Sequence, residues 1–122
     1  NTEGFTVVIP KKHYRSDVLA MEDTILKEFI VVAKKVSQIL LNYFSDVGRV
    51  GLVMEGTGVD HAHIKLIPMH GTAHMKTGQW VQYPSSINRF FNKYEGYLST
   101  NDGPRVNDED LTKLANELKL II

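Results

Sequence analysis

Two histidines and a lysine alternate with other residues in one short stretch of the sequence. A single residue separates His61 from His63, and another separates His63 from Lys65. In an extended strand side chains alternate between the two faces, so these three would share one face with neighbours about 6.5 Å apart. An imidazole can act as a nucleophile, and an ammonium group can neutralise an anionic oxygen. The row therefore predicts a strand that faces a phosphate group.

Strands are predicted on both sides of a glycine-rich turn. Residues 49–55 and 59–67 have the composition of strands, and residues 56–58, Gly-Thr-Gly, join them. Such a turn suits an antiparallel hairpin. Near the start of the chain, residues 5–9 are β-branched and aromatic and end at Pro10, which predicts another strand. The histidine row is thus expected on the second strand of a hairpin.

Two helices are predicted from periodicity and capping residues. A long helix should begin near Asp23, because its apolar residues recur at helical spacing. Those residues are Leu26, Phe29, Ile30, Ala33, Val36, Leu40, Tyr43 and Phe44. A second helix should begin after Asn107, where a capping side chain precedes three acidic residues. Residues 69–107 between the helices are predicted to be rich in loops.

Composition narrows the class of protein. The chain has 122 residues, a length typical of one domain, and no cysteine for disulfides or thiolate metal sites. Lys plus Arg and Asp plus Glu both number 14, so the formal net charge is zero. A general binder of nucleic acid or anionic membranes would show a basic bias. With apolar runs too short to span a bilayer, the expectation is a soluble, cytoplasmic domain without nucleic-acid or membrane partners.

In this order, the elements resemble those of the histidine triad family. The resemblance rests on residues 5–13, a long helix, the glycine-rich turn and the motif His61-x-His63-x-Lys65-x-x-Pro68, and it covers about residues 4–70. It implies an α+β fold in which a long helix packs on an antiparallel sheet and a further helix lies C-terminal. We expect residues 1–122 to form one such domain, with the N-terminal strands of the family fold lying upstream of residue 1.

The resemblance also implies a chemistry. Members are nucleotide hydrolases or nucleotidyl transferases, usually homodimers whose protomers join their sheets. His63 matches the nucleophile, which attacks the α-phosphate of a purine nucleotide and forms a covalent nucleotidyl-histidine. His61 matches the residue that orients the nucleophile and the phosphate. The substrate would be a dinucleoside polyphosphate or a nucleoside phosphoramidate, with no resident cofactor or metal and with any Mg²⁺ entering with the substrate.

The sequence departs from the family pattern at three places. Lys65 occupies the third triad position, where it can neutralise a phosphate oxygen but is a poor proton shuttle near neutral pH. Phe5 replaces a histidine that many members carry on the first strand, which leaves the leaving-group proton without a donor. Thr57 and Gly58 occupy positions where glutamine and serine or threonine are common, and only Thr57 keeps a hydroxyl.

Two more histidines complete the predicted site. His13 matches a histidine at the end of the first strand, where a structural hydrogen bond is its expected role beside substrate binding. His70 follows Pro68 closely and could approach the phosphate. Together with Thr57 and Gly58, these two histidines form the predicted substrate-binding set.

Two other functions are compatible with these residues. The same fold could bind nucleotides without turning them over. Less favoured is a metal site, since His-x-His on a strand also holds metals and His70 or His74 could add a third ligand. Against a metal, Ile67 and Pro68 stand where a carboxylate ligand is expected, and Lys65 would repel a dication.

Overall fold

The computed structural model describes residues 1–121, and the chain divides into two compact units. The first comprises Asn1–Gln82 and the second begins at Tyr83. The expectation of one domain over residues 1–122 stays a prediction. None of the helices in the described residues is long and apolar enough to cross a membrane.

The first unit contains a three-stranded antiparallel sheet. Strand β1 is Thr6–Val8, β2 is Val50–Val53 and β3 is Ile64–Pro68, and their order in the sheet is β1-β3-β2. The central strand β3 therefore pairs with both neighbours. Together with the helices, this sheet confirms the α+β class and the antiparallel pairing of the two predicted hairpin strands.

Strand β3 begins five residues later than predicted, so the expected strand start at residue 59 is wrong. The backbone N–H of His61 donates to the Val59 carbonyl, and that of Ala62 donates to the Tyr14 carbonyl. These hydrogen bonds form a turn and a contact with the loop after β1. The backbone that carries His61 and His63 is thus held outside the sheet ladder, just before Ile64.

The predicted alternation of faces nevertheless extends from this loop into β3. Ala62, Ile64 and Leu66 are almost fully buried, whereas Lys65 between the last two is half-buried; His63 is 8 % exposed and thus also buried, but it is not part of the apolar core. The buried set packs in a core with Phe29 and other apolar residues. Since one face of β3 is committed to this core, His63 and Lys65 point to the opposite face.

Helix α1, Asp23–Tyr43, covers the core face of the sheet. It contacts all three strands and buries Phe29 and Ala33. The predicted start at Asp23 is confirmed. Because the helix packs on one face of the sheet, His63 and Lys65 lie on the face that α1 does not cover.

The second unit contains one helix, α2, Asp108–Lys119, among the described residues. As predicted, Asn107 caps it: the Asn107 side-chain oxygen accepts a hydrogen bond of 2.8 Å from the backbone N–H of Asp110. Residues 69–107 contain only a short 3-10 helix, Ala73–Thr77, so the predicted loop-rich segment is confirmed.

Candidate nucleotide site

A cavity of about 520 Å³ opens on the face of the sheet opposite α1. Its polar lining consists of Thr57, His61, His63 and Lys65. Val7, Ile9 and Val59 supply an apolar wall, and Gly58 completes the lining. Five of the seven predicted site residues therefore line one cavity, although they come from the connection between β2 and β3 and from β3 itself.

The backbone fixes the tautomer of His63. The Nδ1 atom lies 2.9 Å from the carbonyl oxygen of His61, and a carbonyl oxygen can only accept. This contact assigns the proton to Nδ1, so Nε2 of the neutral ring keeps its lone pair. No hydrogen bond reaches Nε2 from any residue in the described range 1–121. In its neutral form, the ring thus presents the unprotonated Nε2 that a nucleophile requires.

His61 is held by the protein on both ring nitrogens. Its Nε2 donates to the Pro10 carbonyl oxygen at 3.0 Å, and its Nδ1 lies 3.2 Å from Nδ1 of His13. With Nε2 protonated, a neutral His61 accepts at Nδ1 and His13 donates there. The hydrogen bond expected of His13 is present, and it connects the loop after β1 to the histidine row. This arrangement suits a residue that orients its neighbours.

Lys65 forms an ion pair with Glu55, a residue that the sequence analysis missed. The Lys65 ammonium donates to Oε1 of Glu55, and the carboxylate is almost fully buried. Lys65 lies opposite Val53 in the sheet. Glu55 is two residues beyond Val53, so an extended chain brings it to the same face. The register in which β2 pairs with β3 is the signal that could have revealed the Lys65–Glu55 pair, because it places Val53 opposite Lys65.

Two loops meet at the edge of the site. The backbone N–H of Ser16 donates to Asp60 at 2.9 Å, and this hydrogen bond lowers the pKa of the Asp60 carboxyl. Gly56 has a positive φ of 68°, and a Cβ atom there would lie 2.7 Å from the Ser16 carbonyl oxygen. A side chain at Gly56 would therefore meet both backbone strain and a backbone clash. The loop after β1 and the connection from β2 to β3 are in direct contact.

His70 lies at the other end of β3. Its Nδ1 is 3.0 Å from Asp46 Oδ2, and its Nε2 is 3.1 Å from the Glu3 carbonyl oxygen. These two contacts, with Glu3 first, raise the pKa of His70, and the His70 hydrogen bond lowers the pKa of Asp46. His70 is seven positions after His63, which in a fully extended chain corresponds to at most roughly 23 Å, and it is not among the residues that line the cavity. The structure therefore does not bring His70 to the cavity.

Metal-ligand geometry is not found in the part of the chain that the structure describes. No group of three or more His, Cys, Asp or Glu side chains there could hold a metal ion. His74, the other suggested third ligand, lies in the short helix Ala73–Thr77, beyond His70 along the chain.

No protein-family model, no curated protein and no solved structure matches this chain.

Proposed function

We propose that the protein binds a nucleotide in the cavity beside β3 and that His63 attacks its α-phosphate. The products would be a leaving group and a nucleotidyl-histidine, which water or another acceptor then cleaves. The purine base and the two substrate types, a dinucleoside polyphosphate or a nucleoside phosphoramidate, follow from the resemblance to the histidine triad family. The fold of that family and its dimeric assembly belong to the same proposal.

The tautomer of His63 is the observation that carries this proposal. Attack on phosphorus needs an unprotonated nitrogen that no protein group occupies. In the neutral ring, the hydrogen bond from Nδ1 to the His61 carbonyl leaves Nε2 in that state, and His63 lines the cavity. A buried histidine with a purely structural role would satisfy its polar atoms within the protein. His61, whose two nitrogens both contact protein groups, is an example within the same site.

Turnover tests the catalytic proposal directly. The protein should cleave a diadenosine polyphosphate or adenosine phosphoramidate, and His63→Ala, His63→Gly and His63→Asn should each abolish cleavage because the nucleophile is lost. Product formation is followed by chromatography, and the rise in melting temperature with AMP confirms that each variant still binds. Full cleavage by His63→Ala would contradict the proposal.

One observation favours binding without turnover as the second candidate. Lys65 is the permanently charged side chain among the described residues that line the cavity, and Glu55 already pairs with it. Catalysis of phosphoryl transfer depends on positive groups that stabilise charge in the transition state. If neither substrate is cleaved while AMP raises the melting temperature, the binding candidate stands and the catalytic one fails.

A further inference from the structure

Glu55 is a buried carboxylate in contact with the cavity-lining Lys65, and the proposed reaction does not use it. Its side chain is 10 % exposed, against 30 % for Lys65. One oxygen, Oε1, accepts a hydrogen bond from the Lys65 ammonium. The other, Oε2, is buried and has no hydrogen-bond partner in the described part of the chain. Stability alone does not explain this arrangement, since buried ion pairs seldom repay the cost of removing both charges from water.

The pair changes the charge that the cavity offers to a ligand. Among the described residues that line it, Lys65 is the one permanently charged side chain. A carboxylate in contact with the ammonium cancels most of its field at the distance of a bound phosphate. The remaining wall is largely apolar, with Val7, Ile9 and Val59. A nucleotide with several negative charges would therefore enter a cavity that has almost no net positive charge.

We infer that Glu55 determines the charge selectivity of this site. By pairing with Lys65, it limits the positive charge at the cavity wall, so the site favours a phosphoryl group with few negative charges over a polyphosphate. The inference rests on the proposed function, in that a nucleotide must enter this cavity. It narrows the substrate class, because a phosphoramidate or phosphodiester carries less charge at the reacting group than a polyphosphate chain.

Glu55→Gln tests the inference by equilibrium binding. The amide keeps the size of the side chain but removes its charge, so Lys65 regains its full field. By calorimetry, the affinity for AMP should rise about three- to tenfold. The rise should be larger for the methylene analogue of ADP, which carries one more charge. An unchanged or lower AMP affinity in the folded variant would overturn the inference.

The double variant Glu55→Gln/Lys65→Gln gives an independent answer. It replaces a neutralised pair by two neutral amides, so the net charge of the wall is nearly the same as before. AMP affinity should then stay within about threefold of the wild type. If Lys65 acted as a full cation for the phosphate regardless of Glu55, its removal would cost more than about tenfold. That loss would overturn the inference even if the single variant fails to fold.

A control and the wild type separate this inference from the proposed function. Glu28→Gln removes one negative charge from an exposed position on α1, on the other side of the sheet, and should leave AMP affinity unchanged. If the wild-type protein binds neither AMP nor the ADP analogue, the proposed function fails. The other case is a wild type that binds both ligands, with an AMP affinity that does not rise in Glu55→Gln and falls more than about tenfold in the double variant. In that case only the charge selectivity fails, and the proposed function stands.

Discussion

At the scale of single residues, the main chain has as large a part in the site as the side chains. The carbonyl of His61 sets the tautomer of His63, and the carbonyl of Pro10 holds the His61 ring. A carbonyl group is present whatever the side chain of its residue is. The identity of His61 is therefore expected to matter mainly for orientation, whereas the identity of His63 is essential to the proposed chemistry.

His70 gives a pH-dependent prediction for stability. The pKa of His70 is raised, mainly by the hydrogen bond to the Glu3 carbonyl and secondly by the one to Asp46. Protonated His70 therefore stabilises the fold fully below the unfolded pKa of 6.5, and this stabilisation is lost as pH rises through the folded pKa. The pKa of Asp46 is lowered, so its contribution is present above 3.8 and is lost as pH falls through the folded value. The contact between His70 and Asp46 should therefore stabilise the fold most between pH 3.8 and pH 6.5.

Urea unfolding at pH 5.5 and pH 8.5 measures this effect. Relative to His70→Gln, which cannot become a cation, the wild-type protein should have the larger advantage at pH 5.5. An advantage that is equal at both pH values, or larger at pH 8.5, would show that protonation of His70 does not stabilise the fold.

At the scale of elements, the backbone at Gly48, between α1 and β2, packs closely against the backbone at Thr72. A Cβ atom on Gly48 would lie 2.0 Å from the carbonyl oxygen of buried Thr72. The Gly48 N–H also donates to the Thr72 hydroxyl at 2.9 Å. Gly48→Ala should therefore lower the free energy of unfolding by about 3 kcal/mol, because backbone must move to admit the methyl group. Urea denaturation is the measurement.

Gly51 provides the matched control for that substitution. It lies in β2, and the nearest atoms to an added Cβ are 3.8 Å away on Ile67, which is ordinary van der Waals contact. Gly51→Ala should change the free energy of unfolding by less than about 1 kcal/mol. Equal losses at the two glycines would contradict the explanation from the Thr72 contact.

The second helix depends on its cap. Asn107 accepts from the Asp110 N–H at the start of α2, and the apolar residues Leu111, Leu114 and Leu118 are each about half exposed. Since little burial supports this helix, Asn107→Ala should weaken it by about 1 kcal/mol and lower the helical signal in circular dichroism. Asn107→Asp, which keeps a capping oxygen, should retain the signal. Equal helicity in all three proteins would contradict the role of the cap.

Local signals in the sequence predicted elements better than they predicted contacts. The start of α1 at Asp23 and the Asn107 cap depend on neighbouring residues, so both were predictable from the sequence. The pairing of Lys65 with Glu55 depends on how β2 and β3 align, which short-range patterns do not specify. His70 was predicted near the phosphate because it is close in sequence to His63. The extended strand β3 lies between the two histidines and separates them in space.

At the scale of the whole molecule, the buried side chains of the described residues all belong to the first unit, Asn1–Gln82. All side chains that are buried in the described range 1–121 fall between Val8 and Met75. The core and the candidate cavity therefore belong to Asn1–Gln82. The apolar side chains of residues 83–121 remain largely exposed.

A fragment of residues 1–82 should consequently fold without the rest of the chain. We expect cooperative thermal unfolding, because the fragment contains the whole buried set, although with the modest stability of a small domain. Differential scanning calorimetry of this fragment beside the full chain is the measurement. A broad, noncooperative transition in the fragment would show that residues beyond 82 are needed for the core.

The contact between Gly56 and the backbone of Ser16 affects how a ligand can enter. The two loops beside the cavity touch through backbone atoms and through the Ser16–Asp60 hydrogen bond. A ligand whose entry required these loops to separate would have to break that hydrogen bond and the contact at Gly56. We therefore expect a ligand that fits without moving the loops to bind at a smaller cost in free energy.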